Sequence, residues 1–111
     1  VSVFLLGWGG NSAAPIFFYR PILHSPSASG AGNWNLGNVR HEELDRLIDA
    51  IETETVAGIS RDLVSRAVRL IQDEVLVIPL HRQVIPWASR ANISLVHMPN
   101  NWLVPVWVRI Q

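Results

Sequence analysis

The chain has 111 residues, room for one domain with a modest core. Hydrophobic residues make up 49% of it and charged residues only 16%, against a usual charged share of about 25%, and the formal net charge is zero. The absence of cysteine excludes a disulfide framework and thiolate chemistry, and no apolar run approaches the roughly 20 residues that a membrane-spanning helix needs.

The N-terminal stretch reads as a strand running into a glycine-rich loop. Val1, Val3, Phe4, Leu5 and Leu6 are apolar with almost no alternation, the pattern of a strand covered on both faces. Gly7, Gly9 and Gly10 then leave backbone N–H groups uncovered, and Pro15 closes the loop. Trp8 stands among these glycines. It either offers an aromatic face to a ligand at the carboxyl end of a strand or plugs the end of the core. Ile16 to Tyr19 is a short apolar stretch suited to a helical turn docked on a sheet. From Arg20 to Gly37, prolines, serines, glycines and asparagines make a long loop with Trp34 near its end. A loop of this length is either functional or a solvated connector with Trp34 tucked back on the core.

Two helices follow. Leu44, Leu47, Ile48 and Ile51 fall on one stripe, with Glu43, Asp45, Arg46, Asp49 and Glu52 opposite. Gly58 marks a break, Ser60 is the expected N-cap, and a second helix runs to about Glu74 with Leu63, Ala67, Leu70 and Ile71 inward. Glu42 with Arg46, Asp62 with Arg66, and Arg69 with Asp73 stand at i,i+4 spacing, so the charged sides are expected to face water. Val75 to Leu80 is β-branched and apolar and reads as a second buried strand, with Pro79 where it leaves the sheet. Strand, two helices, strand is a crossover unit that joins parallel strands. At the end of the chain, Val104, Val106, Val108 and Ile110 alternate as a half-covered strand.

The pattern favours binding over catalysis. The four histidines lack metal-ligand spacing, no G-x-S-x-G elbow is present, and the acids lie on helix faces that read as exposed. No catalytic residue, metal or cofactor is therefore expected. Gly30 and Gly32 fall short of a dinucleotide fingerprint, because Asn35 stands at the third glycine and a Pro/Ser loop precedes them. All nine acids lie between Glu42 and Glu74, and the nine arginines are scattered without a basic stripe, so no nucleic-acid partner is expected. The remaining candidate surface combines Trp8, Asn11 and the backbone of Gly9 and Gly10 with His81, Arg82 and Gln83 at the exit of the second strand. If the two strands are parallel neighbours, these groups share one rim suited to a ligand of peptide-like or polyol polarity.

Several segments in order resemble a known family: Gly7, Trp8, Gly9, Gly10 and Asn11 through Pro15; Asn33 and Trp34; Glu43, Leu44, Asp45, Leu47 and Ile48; and the helix through Arg61, Ala67 and Glu74 leading into Val77, Ile78, Pro79 and Leu80. Together they resemble the C-terminal part of bacterial extracellular solute-binding proteins of family 5, the dipeptide- and oligopeptide-binding proteins of ABC importers. The likeness runs from Val1 to about Asn92 and is loose over the last twenty residues.

The resemblance implies an α/β fold, part of a periplasmic-binding-protein-like lobe: a strand–loop–two helices–strand crossover followed by a hinge and a C-terminal strand. Residues 1–85 would belong to the second lobe, and 86–111 would cross the hinge and complete the first. Family members are several times longer, so the chain is expected to be a C-terminal fragment, in keeping with its apolar excess and its start in mid-strand. The implied function is solute binding for import. Two lobes would close on a peptide-like solute in the periplasm and deliver it to the membrane subunits of an ABC importer, with Trp8, Gly9, Gly10, Asn11, Trp34, His81 and Gln83 at the ligand. In peptide-binding relatives an Asp shortly after the Trp pairs with the ligand's α-amino group, and a second acid commonly precedes the proline; here Asn11 and Ala14 stand there. Losing such a partly buried ion pair costs about 3–5 kcal/mol. The implied ligand is therefore blocked, neutral or anionic at that end. The alternative from the residues alone is a small interaction or structural domain that forms a homodimer through its apolar surface.

Overall fold

A computed structural model of the chain describes residues 3–9, 12 and 14–111. They fall into two compact units, one ending at Pro79 and one running from Leu80 to Gln111. The architecture is mixed helix and strand: three helices in the first unit and a two-stranded antiparallel sheet in the second.

Helix α1, Ile16–Phe18, is a single turn that runs directly into a π-helical turn, Tyr19–Leu23. The wider turn is closed by His24 N–H donating to Tyr19 O at 3.1 Å. It carries Pro21, whose missing N–H would break an α-helix ladder. Tyr19, Ile22 and Leu23 point into the core. This apolar stretch is helical as expected, but it docks on helices and not on a sheet.

Helix α2, Glu42–Thr53, begins where His41 Nδ1 accepts the Leu44 N–H at 3.3 Å, with Glu42, Glu43 and Asp45 in the first turn to complement the dipole. Its expected stripe is buried: Leu44 and Ile48 completely, Leu47 and Ile51 almost so. Helix α3, Ala57–Asp73, follows after three residues and closes a helical hairpin through Ala67 and Ile71, with Leu63, Val64, Val68 and Leu70 partly buried around them. Full burial of a Leu or Ile side chain contributes about 1.5–3 kcal/mol, so the α2–α3 seam is the main source of stability in the first unit.

Helix α3 starts a turn earlier than the expected cap at Ser60. Its N-cap is Val56, whose N–H is met by Glu54 Oε1 at 2.6 Å and whose carbonyl accepts the Ser60 N–H at 2.9 Å. Gly58 lies inside the first turn, where its propensity cost of about 1 kcal/mol is offset by the added hydrogen bonds and packing.

The two expected buried strands are not formed among the described residues. Val3 and Leu5 are 87% and 82% exposed, and only Leu6 of that segment packs on the core. Val75 does not begin a strand. It is the left-handed residue that ends α3 (φ +50°), with Leu76 N–H donating to Ile71 O and Val75 N–H to Gln72 O, a Schellman arrangement. Leu76 and Val77 then pack on the core, while Ile78 is 70% exposed. Each stretch has strand composition but no ladder partner among the described residues, and a strand exists only as half of a pair. Consequently no parallel crossover is formed among the described residues.

In the second unit, β1 (Ile93–Ser94) pairs antiparallel with β2 (Arg109–Ile110), Ile93 opposite Ile110. The alternating run from Val104 becomes strand only at its end. Pro105 has no N–H for a ladder, and it opens a 3₁₀ turn, Pro105–Trp107, tied by Trp107 N–H to Val104 O. No helix among the described residues is long and apolar enough to cross a membrane.

Candidate functional site

The first unit brings two of the candidate residues together. Trp8 and Trp34 meet edge to face, ring centroids 6.0 Å apart and planes at 66°. Trp8 is 38% and Trp34 48% exposed, so each keeps part of its ring open to solvent. Trp8 is anchored by its indole N–H, which donates to Phe17 O at 3.0 Å at the end of α1. The same N-terminal segment leans on the loop at a second point, where Phe4 Cε1 lies 3.4 Å from where a Cβ on Gly37 would be.

Trp34 is held by the loop that carries it, and that loop is built rather than slack. Gly32 N–H donates to Arg20 O and Trp34 N–H to Pro21 O, both at 2.9 Å, so the segment returns onto the π-helical turn. Asn35 is the staple. Its buried amide donates to His24 O at 2.9 Å and to Val39 O at 2.8 Å, and its Oδ1 accepts the Val39 N–H at 3.0 Å. Gly32 is required by the close approach it permits. At φ +66°, a Cβ there would lie 2.3 Å from His24 O and 2.7 Å from Pro26 N.

The loop is also tied to α2 by charge. Arg20 Nη1 reaches Glu52 Oε2 at 2.5 Å and Asp49 Oδ1 at 3.6 Å. The Ser25 N–H donates to Asp45 Oδ1 at 2.8 Å. His24 is buried between them, with Nδ1 donating to Ser25 O at 2.7 Å and Nε2 3.3 Å from Asp49 Oδ1. The acidic face of α2, expected to be solvated, is thus in part the docking face for the loop. None of the three i,i+4 ion pairs expected along the helices lies within salt-bridge distance among the described residues.

Gly9 follows Trp8 and is exposed, with open space where its Cβ would be. Gly10 and Asn11 lie outside the described residues. His81 and Gln83 belong to the second unit, where both are exposed. The alternative that Trp34 is tucked back on the core is not what forms: its ring packs on Trp8 and stays half open. Among the described residues, no group of three His, Asp or Glu side chains is placed to hold a metal ion.

His24, Gly32 and Asn35 are the positioning residues that reading by motif missed. Their signal was present in a different form. Gly32 and Asn35 belong to the stretch that falls short of a dinucleotide fingerprint, and they are what shape the loop. No family model matches the chain, and no curated protein or solved structure matches it.

Proposed function

We propose that the chain binds a small peptide-like solute as part of an importer's solute receptor, with the Trp8–Trp34 pair forming one aromatic wall of the site. The observation that carries this reading is the pair itself. Two large rings stay partly open to solvent while each is fixed by independent hydrogen bonds, at a cost in exposed apolar surface that the core does not need. Rigid aromatic faces beside uncovered backbone amides suit a ligand with alternating apolar and amide character. The sequence resemblance to family 5 solute-binding proteins supports the same reading and supplies its setting: a periplasmic receptor, of which this chain would be the C-terminal part, closing over its solute and docking on importer membrane subunits. The function is binding without a chemical step. With no acid at Asn11 or Ala14, the ligand end near Trp8 is blocked, neutral or anionic.

The test is a titration of the chain with a dipeptide and its N-acetylated form, read at the Trp8 and Trp34 indole N–H resonances. Saturable shifts with tighter binding of the acetylated peptide are expected. Tighter binding of the free amine refutes the ligand assignment, and no shift at either indole refutes the site.

A second reading, self-association, is favoured by the exposure of Val3, Leu5 and Ile78 on extended segments with no strand partner among the described residues. A ligand-independent dimer in sedimentation equilibrium, abolished by Leu5→Lys, is its signature.

A further inference from the structure

The second unit holds a concavity of its own, with the candidate residue Gln83 on its wall. Gln83, Ile85, His97, Met98, Pro99 and Asn101 line an open cleft of about 220 Å³. Two of its walls are fixed. The Trp87 indole lies against the His97 ring, centroids 4.6 Å apart and planes tilted by 32°, and the same indole N–H donates to Asn101 Oδ1. The turn between these walls is closed by Asn101 N–H donating to Met98 O at 2.9 Å. Pro99 occupies its second position, and Asn101 adopts the left-handed conformation that asparagine tolerates (φ +62°).

We propose that this cleft binds a small uncharged molecule that presents a carboxamide carbonyl beside an apolar group. An indole N–H can only donate, so Trp87 fixes the Asn101 amide with its oxygen toward the ring and leaves the NH₂ as a donor on the cleft wall. The Gln83 and His97 side chains are exposed and make no hydrogen bond to another of the described residues, and Ile85, Met98 and Pro99 supply the apolar part of the lining. No carboxylate, guanidinium or ammonium lines the cleft, so a charged ligand would shed hydration without gaining a partner. Amide donors next to thioether and aliphatic surface match a capped, neutral amino-acid amide. This inference stands on the second unit alone and does not need the Trp8–Trp34 site.

The experiment is a titration of the ¹⁵N-labelled chain with N-acetyl-leucinamide, and in parallel with its charged counterparts N-acetyl-leucine and leucinamide. Saturable shifts of the Trp87 indole N–H and of the Gln83 and Asn101 side-chain amides are expected with the neutral probe, and weaker binding of both charged ones. Gln83→Leu keeps the volume of an exposed side chain and removes its hydrogen bonds, and it is expected to weaken the neutral probe about three- to tenfold. Absence of saturable shifts in the cleft, equal binding of a charged probe, or full affinity in Gln83→Leu overturns the proposal. Shifts confined to the Trp8 and Trp34 indoles also overturn it, while leaving the site of the first unit standing.

Discussion

Substitution of Gly32 by alanine isolates what holds Trp34 in place. The new Cβ would meet only backbone atoms: His24 O at 2.3 Å, Pro26 N at 2.7 Å and Ser25 C at 2.8 Å. None can swing aside as a side-chain tip would, so the loop must shift. Two costs apply. The left-handed backbone at φ +66° costs a residue with a Cβ about 1–2 kcal/mol, and forced overpacking typically costs about 1–3 kcal/mol. Together they amount to about 2–5 kcal/mol, against about 5–15 kcal/mol for the whole stability of a typical domain. Gly30 is the internal control. It also has positive φ, +87°, but open space where its Cβ would be, so Gly30→Ala carries the backbone cost without the collision. Urea unfolding of both variants gives the difference directly. Gly32→Ala is expected to lose at least about 1 kcal/mol more than Gly30→Ala, and its Trp8 and Trp34 indole resonances to move toward solvent-exposed positions. Equal losses, or an unmoved Trp34 signal in Gly32→Ala, would refute the close-approach argument.

Three further outcomes follow from the same geometry. Asn35→Asp keeps the shape of the loop staple but places a carboxylate oxygen against His24 O and Val39 O, so a loss of about 1–3 kcal/mol is expected at neutral pH, partly recovered in acid as that carboxyl regains a proton it can donate; a pH-independent loss would contradict this. Val75→Gly relieves a β-branched residue at φ +50° on an exposed helix end; the strain of about 1–2 kcal/mol outweighs the added chain freedom of glycine, so the urea midpoint should rise by the equivalent of about 0.5–1 kcal/mol with an unchanged slope, and a lower midpoint would show the strain is not there. Tyr19 is the only tyrosine, and burial pushes its phenol pKa above the ordinary value of 10.0. The folded state therefore holds that proton more tightly than the unfolded chain, and stability is lost as pH rises from about 10 through the higher folded value. Ultraviolet titration of the phenolate should show a higher midpoint in buffer than in urea, Tyr19→Phe should flatten the alkaline loss, and identical midpoints would count against burial of the hydroxyl.

The helical hairpin was legible because its information is local. Leu44, Leu47, Ile48 and Ile51 repeat with the period of a helix, and that period alone assigns them to one buried stripe. The end of α3 near Glu74 could likewise be read from the sequence, whereas the break read at Gly58 lies inside the first turn of α3. The strands were not legible in this sense. Val3 to Leu6 and Leu76 to Ile78 have strand composition, but composition states only that a segment could pair; the partner is a long-range fact. The same limit explains the charged face of α2. Spacing predicts i,i+4 pairs along the helix, whereas Asp45, Asp49 and Glu52 instead meet Ser25, His24 and Arg20, which lie twenty to thirty-two positions earlier in the π-helical turn and the start of the loop.

The candidate site divides in the same way. The sequence by itself determined that Trp8 and Trp34 are unusual, because large aromatic residues among glycines and asparagines lack neighbours to cover them. Only the tertiary structure decided that they touch. Their contact needs the return of the loop onto Arg20 and Pro21, the amide of Asn35 and the bare backbone at Gly32. A periodic pattern repeats its signal every turn, and a reader of sequence can average over it. A staple is one residue whose partners are fixed by how the chain folds back, and a single amide or glycine carries no mark that distinguishes it from its neighbours until the fold has brought those partners within hydrogen-bond reach.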